Sequence, residues 1–335
     1  VDLANWRYDS VRAISSTTLD TPVAHPEATQ KNRALYAQNT THLGDDTRLT
    51  LGFRKQYTSY SADDGVNPAT YARAEQSHNI NAWEIGVRHN VNAAWSIFGR
   101  IGRSFRVATV DETYDQFGGP LFDSQFLLLQ PQTSHDSEIG FDYANGSSKL
   151  KASLYHMNLN NEIHYNVLVN TFGANMNLSP TRRYGLELQG AQAFTDDFEL
   201  RAAYTYTVTK FREGIYDGVD ASGNDIPLVP RQRIALSAVW HPAEKTALSV
   251  STLYVGKQHF DNDQSNTFDQ LMPSYTTTDL KLTQEIGAWS LSASINNLFN
   301  EKYFTYGVAS TSVLGRYIAY PMAGRNFFGS VQYRY

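Results

Sequence analysis

Cysteine is absent from the 335 residues, which excludes disulfides and thiolate metal sites and suits a cytosolic or an envelope protein alike. No run of about 18 uncharged apolar residues occurs, so no membrane-spanning helix is expected. Helix signals are scarce, and no spacing of three and four with caps is sustained beyond two turns. Charge of one sign is missing too. Lys and Arg number 28 against 33 Asp and Glu, a net of −5 that makes no case for nucleic acid. No basic, apolar export signal opens the chain at Val1, so any such signal is expected to have been removed or to lie upstream. There is no GxSxG, HExxH or GxxxxGK[ST] motif, so no enzyme, catalytic residue, metal centre or cofactor is expected. A lipid hydrolase is the enzymatic alternative.

What is abundant is aromatic residue, 13% of the chain with 21 tyrosines, arranged with a period of two. In "FELRAAYTYTVTK" (198–210), Phe198, Leu200, Ala202, Tyr204, Tyr206 and Val208 fall on one face and Glu199, Arg201, Thr205, Thr207 and Thr209 on the other. "AWSLSASINN" (288–297) sets Trp289, Leu291, Ala293 and Ile295 against Ser290, Ser292, Ser294 and Asn296. The same split recurs at 82–89, 94–105, 137–145, 184–194, 233–241 and 276–286. Mean hydropathy, at −0.43, hides this pattern because half of each strand is polar. The strands read as roughly 10 to 13 residues, longer than the 5 or 6 of globular sheets and close to the 9 to 11 that cross a bilayer.

Connections alternate in length. Short links at 43–47, 89–93, 144–148, 194–198, 241–245 and 285–289 are rich in Asn, Asp, Gly and Pro and read as hairpin turns. Long polar segments fall between them, at about 61–77, 107–132, 161–179, 211–228, 259–272 and 300–320. Short turns at one end and long loops at the other imply an all-β fold, a transmembrane antiparallel up-and-down β-barrel in an outer membrane. About 14 strands are expected, with weaker ones at 3–16 and 32–43, in a single barrel domain over 1–335. Trp83, Trp95, Phe105, Tyr143, Phe194, Phe198, Trp240, Trp289 and Tyr335 sit near strand ends, as interfacial aromatics do. "GRNFFGSVQYRY" (324–335) ends the chain on a strand, expected to pair with the first strand of the ring because an open edge in lipid leaves backbone groups unsatisfied.

"INNLFNEKYF" (295–304) with "YPMAGRNFFGSVQYRY" (320–335) resembles the carboxy-terminal signature of TonB-dependent outer-membrane receptors. "GRSFRVATVDETYDQFG" (102–118) resembles their strand-to-loop stretch, with Val107 and Ala108 where Ala–Pro is usual. "LLLQPQTSHDSEIGFDY" (127–143) resembles the re-entry that follows, with Gln132 replacing Glu, and "YGLELQG" (184–190) and "LVPRQRIALSAVW" (228–240) resemble later strands. The resemblance implies a bacterial outer-membrane barrel of about 22 strands around a plug, of which this chain holds the carboxy-terminal part, with a natural or engineered small barrel as the alternative. It implies energy-coupled uptake of a metal chelate, with outer-membrane lipid, the receptor's own plug and the TonB energy-coupling complex as partners. A ferric siderophore is the expected ligand. Cobalamin or haem are alternatives, and a passive porin-type diffusion channel is the competing class.

Candidate ligand-binding residues are the loop aromatics and one cation: Tyr60, Tyr71, Arg73, Tyr114, Phe117, Phe122, Tyr165, Phe172, Tyr216, Phe260, Tyr306 and Tyr317. Aromatic walls with a few directed polar groups suit a large, rigid, partly apolar chelate. His78, His135, His164 and His259 read as exposed loop histidines, and 107–131 contains no His, which counts against haem. "DNDQSN" (261–266) has calcium-like Asp spacing but Asn266 in place of Gly and no closing Glu, so surface solvation is expected there. Arg48, Arg54, Arg88, Arg100, Arg201, Glu84, Glu138 and Glu187 are expected to face a wet lumen, holding plug or water.

Overall fold

The computed structural model describes the chain except residues 12, 14–16, 18, 19, 23, 67–72, 119–122, 167–172, 311 and 312, and for 114–118 and 123–126 it describes backbone alone. Strand is the one regular element among the described residues. In chain order the strands are β1 (Asp2–Asp9), β2 (Pro26–Leu43), β3 (Thr47–Asp64), β4 (Ala74–Asn90), β5 (Trp95–Arg106), β6 (Tyr114–Gly118) and β7 (Asp123–Phe126). Next come β8 (Gln132–Asn145), β9 (Ser148–Asn160), β10 (Ile163–Asn166), β11 (Ala174–Asn177), β12 (Thr181–Thr195), β13 (Phe198–Phe211), β14 (Ile215–Tyr216) and β15 (Val219–Asp220). The series ends with β16 (Gln232–Ala243), β17 (Thr246–Val255), β18 (Tyr275–Ile286), β19 (Trp289–Asn296), β20 (Phe304–Ala309), β21 (Tyr317–Pro321) and β22 (Asn326–Tyr333).

Fourteen of these form one antiparallel sheet in the order β1-β2-β3-β4-β5-β8-β9-β12-β13-β16-β17-β18-β19-β22. The other eight make four two-stranded hairpins, β6–β7, β10–β11, β14–β15 and β20–β21, inside long loops that the sequence leaves without regular structure. Short turns join strand pairs at one end, as at Asn145–Ser148, where Gly146 takes φ +53° for the tight reversal. β1 begins at Asp2 and stops at Asp9, short of the expected 16, while β2 starts at Pro26, before the expected 32. Its outer part needs no apolar face, because ladder bonds and side-chain pairs such as Thr58 to Asn32 (2.8 Å) sustain it. β1 pairs with β2 alone and β22 with β19 alone, so the first and last strands do not close a ring with each other. Closure requires strand number, tilt and stagger to agree, and at these fourteen strands both edges stay free.

Register puts like with like. Ile97 faces Phe141, Ile139 faces Leu154, Leu154 faces Leu186, Leu248 faces Leu282, and Leu280 faces Ile295. The alternate positions pair Ser96 with Asp142, Arg100 with Glu138, Ser237 with Ser251 and Ser292 with Ser330. Ile97, Ile139, Leu154, Leu236, Leu282 and Ile286 are all exposed. A continuous apolar face of this extent is untenable in water and natural against lipid. At the short-turn end Trp95 packs on Tyr143 (4.6 Å between centroids), Phe194 on Phe198 (5.8 Å) and Trp289 on Tyr333 (4.8 Å). On the polar face, a Cβ at Gly140 would meet the Phe98 ring at 2.6 Å, so only glycine lets that ring lie flat beside Lys151.

Candidate functional site: loop cluster and polar lumen

The long loops gather at the end opposite the short turns, where buried clusters form around Phe211 with Leu178, Ala221 and Ile226, around Val110 with Ala28 and Ala62, and around Phe260. In the last, Phe260 is fully buried with Met272 and Ala309, and Leu228, Phe268 and Phe304 pack around them. Asp261–Ser265, which follow Phe260, are all buried. The Asp261 carboxylate accepts a bond from the Tyr306 hydroxyl (2.6 Å) and faces His164 Nε2 at 3.4 Å. Asp263 accepts from the backbone of Thr267 (2.8 Å) and Phe268 (3.2 Å) and meets His259 Nδ1 at 2.8 Å. Asn262 takes both sides of Ala309: Nδ2 donates to its carbonyl (3.0 Å) and its amide donates to Oδ1 (2.8 Å). Asn266 does the same to Asp225 (3.0 and 2.7 Å), with its own backbone at φ +51°, a region Asn tolerates.

The expectation of surface solvation for 261–266 is therefore overturned: the segment is the buried joint of three loops. Tyr306 donates to Asp261 Oδ2, and Thr267, Phe268 and His259 take up both oxygens of Asp263, so the calcium-like spacing serves the loop's own bonds. His259 is held by the Asp263 carboxylate and His164 faces that of Asp261, so neither is exposed, while His135 is exposed.

Of the expected ligand-binding residues, Tyr165, Phe260, Tyr306 and Tyr317 converge here. Tyr317 packs on Phe260 (4.8 Å) and Phe304 (5.8 Å), and both Tyr317 and Tyr165 keep nearly half their surface open. Burial pushes the Tyr306 phenol up, and Asp261 and the neighbouring Tyr320 and Tyr165 push it further. Tyr216 lies apart, packed on Phe211 (5.1 Å) and accepting from the Ser179 amide (3.0 Å). Tyr60 is buried in β3, donating to the Ala108 carbonyl (2.6 Å). Arg73 pairs with Glu75 (2.8 Å). Tyr114 and Phe117 fall on β6, where backbone alone is described, and Tyr71, Phe122 and Phe172 lie outside the described residues. Reasoning from the sequence read Asn262 only as part of a solvated run and passed over Asn224, Asn175 and Asn177. The last two tie β11 to the 107–131 loop through Glu112 O (3.2 Å) and Gln130 O (2.9 Å), and Asx-rich runs beside aromatics are the signal that could have found them.

Beneath the loops the polar face carries an ionic ladder. Arg100 reaches Asp136 (3.0 Å), Glu84 (3.7 Å) and Glu138 (3.9 Å); Arg88 reaches Asp142 (2.7 Å); Arg183 bonds Glu162. A hollow of about 430 Å³ is lined there by Arg100, Asp136, Glu138, Tyr155, Arg183 and Glu187. A larger one, about 790 Å³, lies lower on the same face among Ala203, Ala235, Ser237, Ser251 and Leu253, away from the loop aromatics. At the outer end of β1 and β2, His25, Asp9 and Glu27 bring one ligand atom each within 4.8 Å of one another, and Arg7 already bonds both carboxylates (3.1 and 3.0 Å).

An apolar girdled exterior, a charged interior and loops massed at one end define a transmembrane barrel of the bacterial outer membrane. Residues 1–298 match the family model for the TonB dependent receptor-like β-barrel, and the chain belongs to that family of transport receptors. It is 30% identical over 190 residues to the ferrioxamine receptor of Yersinia enterocolitica, covering 54% of this chain and 25% of that protein. It is 26% identical over 294 residues to the vitamin B12 transporter BtuB of Vibrio vulnificus, covering 83% and 44%. The crystal structure of the ferric yersiniabactin uptake receptor FyuA from Yersinia pestis shares the fold, with a TM-score of 0.72 at 18% identity over 98% of this chain and 49% of that one. The chain thus spans half or less of the length of these relatives.

Proposed function

We propose that this chain is the carboxy-terminal wall of an energy-coupled receptor whose outer loops capture a ferric siderophore. The observation that carries the reading is the aromatic cluster of Tyr165, Tyr306 and Tyr317 over buried Phe260, set on a barrel of this family. Rigid rings beside a few fixed polar groups suit a compact chelate with an apolar surface. The ferrioxamine receptor among the relatives supports iron as the metal, and the vitamin B12 transporter supports cobalamin as the second reading. Arg73 and Tyr216 extend the proposed capture surface, Tyr71, Tyr114, Phe117, Phe122 and Phe172 are further proposed ligand contacts on sequence grounds, and buried Tyr60 supports its wall from behind. The ladder around Arg100 and the carboxylates of Glu138 and Glu187 hold the plug, which lies outside these residues. Binding must favour one plug arrangement over another for the TonB complex to act, since equal affinity for both shifts nothing.

The test uses the full-length receptor in an iron-starved strain without other siderophore receptors. Radiolabelled ferrioxamine B should accumulate, and a protonophore should abolish accumulation while leaving surface binding intact. Uptake that survives the protonophore, together with steady conductance in planar bilayers, would establish a passive channel instead. Displacement of cyanocobalamin at lower concentration than ferrioxamine B would move the reading to cobalamin.

A further inference from the structure

Three loops that leave separate strand pairs share one polar joint. Asn262 is bonded to both backbone groups of Ala309 and Asn266 to both of Asp225. Asn224 Nδ2 donates to Ser265 O (2.8 Å), Asp261 N to Gly307 O (3.0 Å) and Leu228 N to His259 O (3.1 Å). Lys210 (2.8 Å) and Arg231 (2.7 Å) fix the Asp225 carboxylate at the base of its loop. The contacts link 211–231, 256–274 and 300–321, and the Phe260 cluster fills the space between them. Leu228 sits at φ +59°, a conformation a branched side chain holds only where its surroundings leave no choice.

Side chains bonded to backbone behave differently from side chains bonded to each other. A loop whose amide and carbonyl are both taken by one Asn cannot slide without stranding two buried backbone groups, so the network is all or none. We propose that this Asn and Asp joint is a coupling device that makes the three loops a single rigid body, which can shift on its strand stems but not loop by loop. Ligand engagement at any one loop then displaces all three. The 61–66 and 107–113 segments, joined through Tyr60 and Ala108, belong to a separate body; Asn175 ties it to the 161–179 loop, and that loop faces the joint through His164 and Asp261.

The inference does not depend on which cargo is bound, and its test needs none. These residues hold no cysteine, so with any cysteine elsewhere in the full-length receptor replaced by serine, Asp217→Cys and Leu314→Cys can carry a spin-label pair between the first and third loops. Pulsed dipolar spectroscopy in outer-membrane vesicles should give one narrow distance distribution. Asn262→Ala with Asp263→Ala should broaden it about twofold or more while heat-modifiable migration shows the barrel intact. Should that pair prevent insertion, Tyr306→Phe, which removes one bond from the joint, should broaden it to a smaller degree. A broad distribution in the unaltered receptor, or a width that neither variant changes, would overturn the proposal.

Discussion

Phe260 and Tyr306 show how one position serves its loop through burial and another through a single bond. Phe260 is fully enclosed, and a Cβ at Gly307 would lie 2.9 Å from its ring, so nothing larger fits opposite. Removing the ring in Phe260→Ala should cost the loop cluster about 3–5 kcal/mol. Limited proteolysis should then cut within 256–274 well before the native protein is cut, with the barrel still inserted. Tyr306 donates to Asp261, and burial followed by that carboxylate holds its phenol above the ordinary tyrosine range. A raised folded-state value means the stabilisation is complete below the unfolded value of about 10 and is lost only as pH climbs through the raised one. Absorbance titration at alkaline pH should therefore show Tyr306 missing from the ordinary tyrosine transition. Tyr306→Phe should leave that transition's amplitude unchanged and delete a later one; a smaller ordinary transition would contradict the assignment.

Each strand reports its two environments through adjacent residues. In β18, Leu280 faces Val250 and Ile295 on the lipid side, while Lys281 next to it faces Ser249 and Ser294 on the polar side. Leu280→Lys should destabilise the barrel by about 2–4 kcal/mol, read as a lower urea midpoint of heat-modifiable migration, even though its neighbour is already lysine. This alternation is what made the sheet readable from sequence. A period of two is local, so Leu291, Ala293 and Ile295 declare their face without knowledge of any partner, and turns such as Asn145–Gly146 declare the reversal. Loop structure obeys no such period. Asn262 finds Ala309 across 47 residues and Tyr60 finds Ala108 across 48, contacts that depend on where the strands have already set the loop stems. That is why the aromatic loop residues could be named as candidates while their sorting into the Phe260 cluster, the Phe211 cluster and the β3 wall could not. It is also why a buried joint read as a solvated surface.

Across the whole molecule, the free edges of β1 and β22 leave two columns of backbone donors and acceptors without strand partners. In lipid each such group costs several kcal/mol, so a sheet of these 335 residues alone should not persist as an inserted barrel. Expressed by itself the chain should give no heat-modifiable species in outer-membrane fractions, whereas the full-length receptor should; a stable small barrel from the short chain would refute this. Strand length adds a further property. β2 and β3 run 18 residues, whereas β19 and β22 at the far edge run 8, as does β1 at the near edge. At about 3.3 Å per residue these are spans of about 59 Å and 26 Å, against a hydrocarbon core of about 30 Å. One flank of the mouth is consequently a tall palisade stiffened by its own backbone ladder, and the other ends near the headgroups and is topped only by the coupled loops. The opening is bevelled, so anything drifting along the cell surface is screened from the β2–β4 quarter and meets the bonded loops from the β17–β22 quarter.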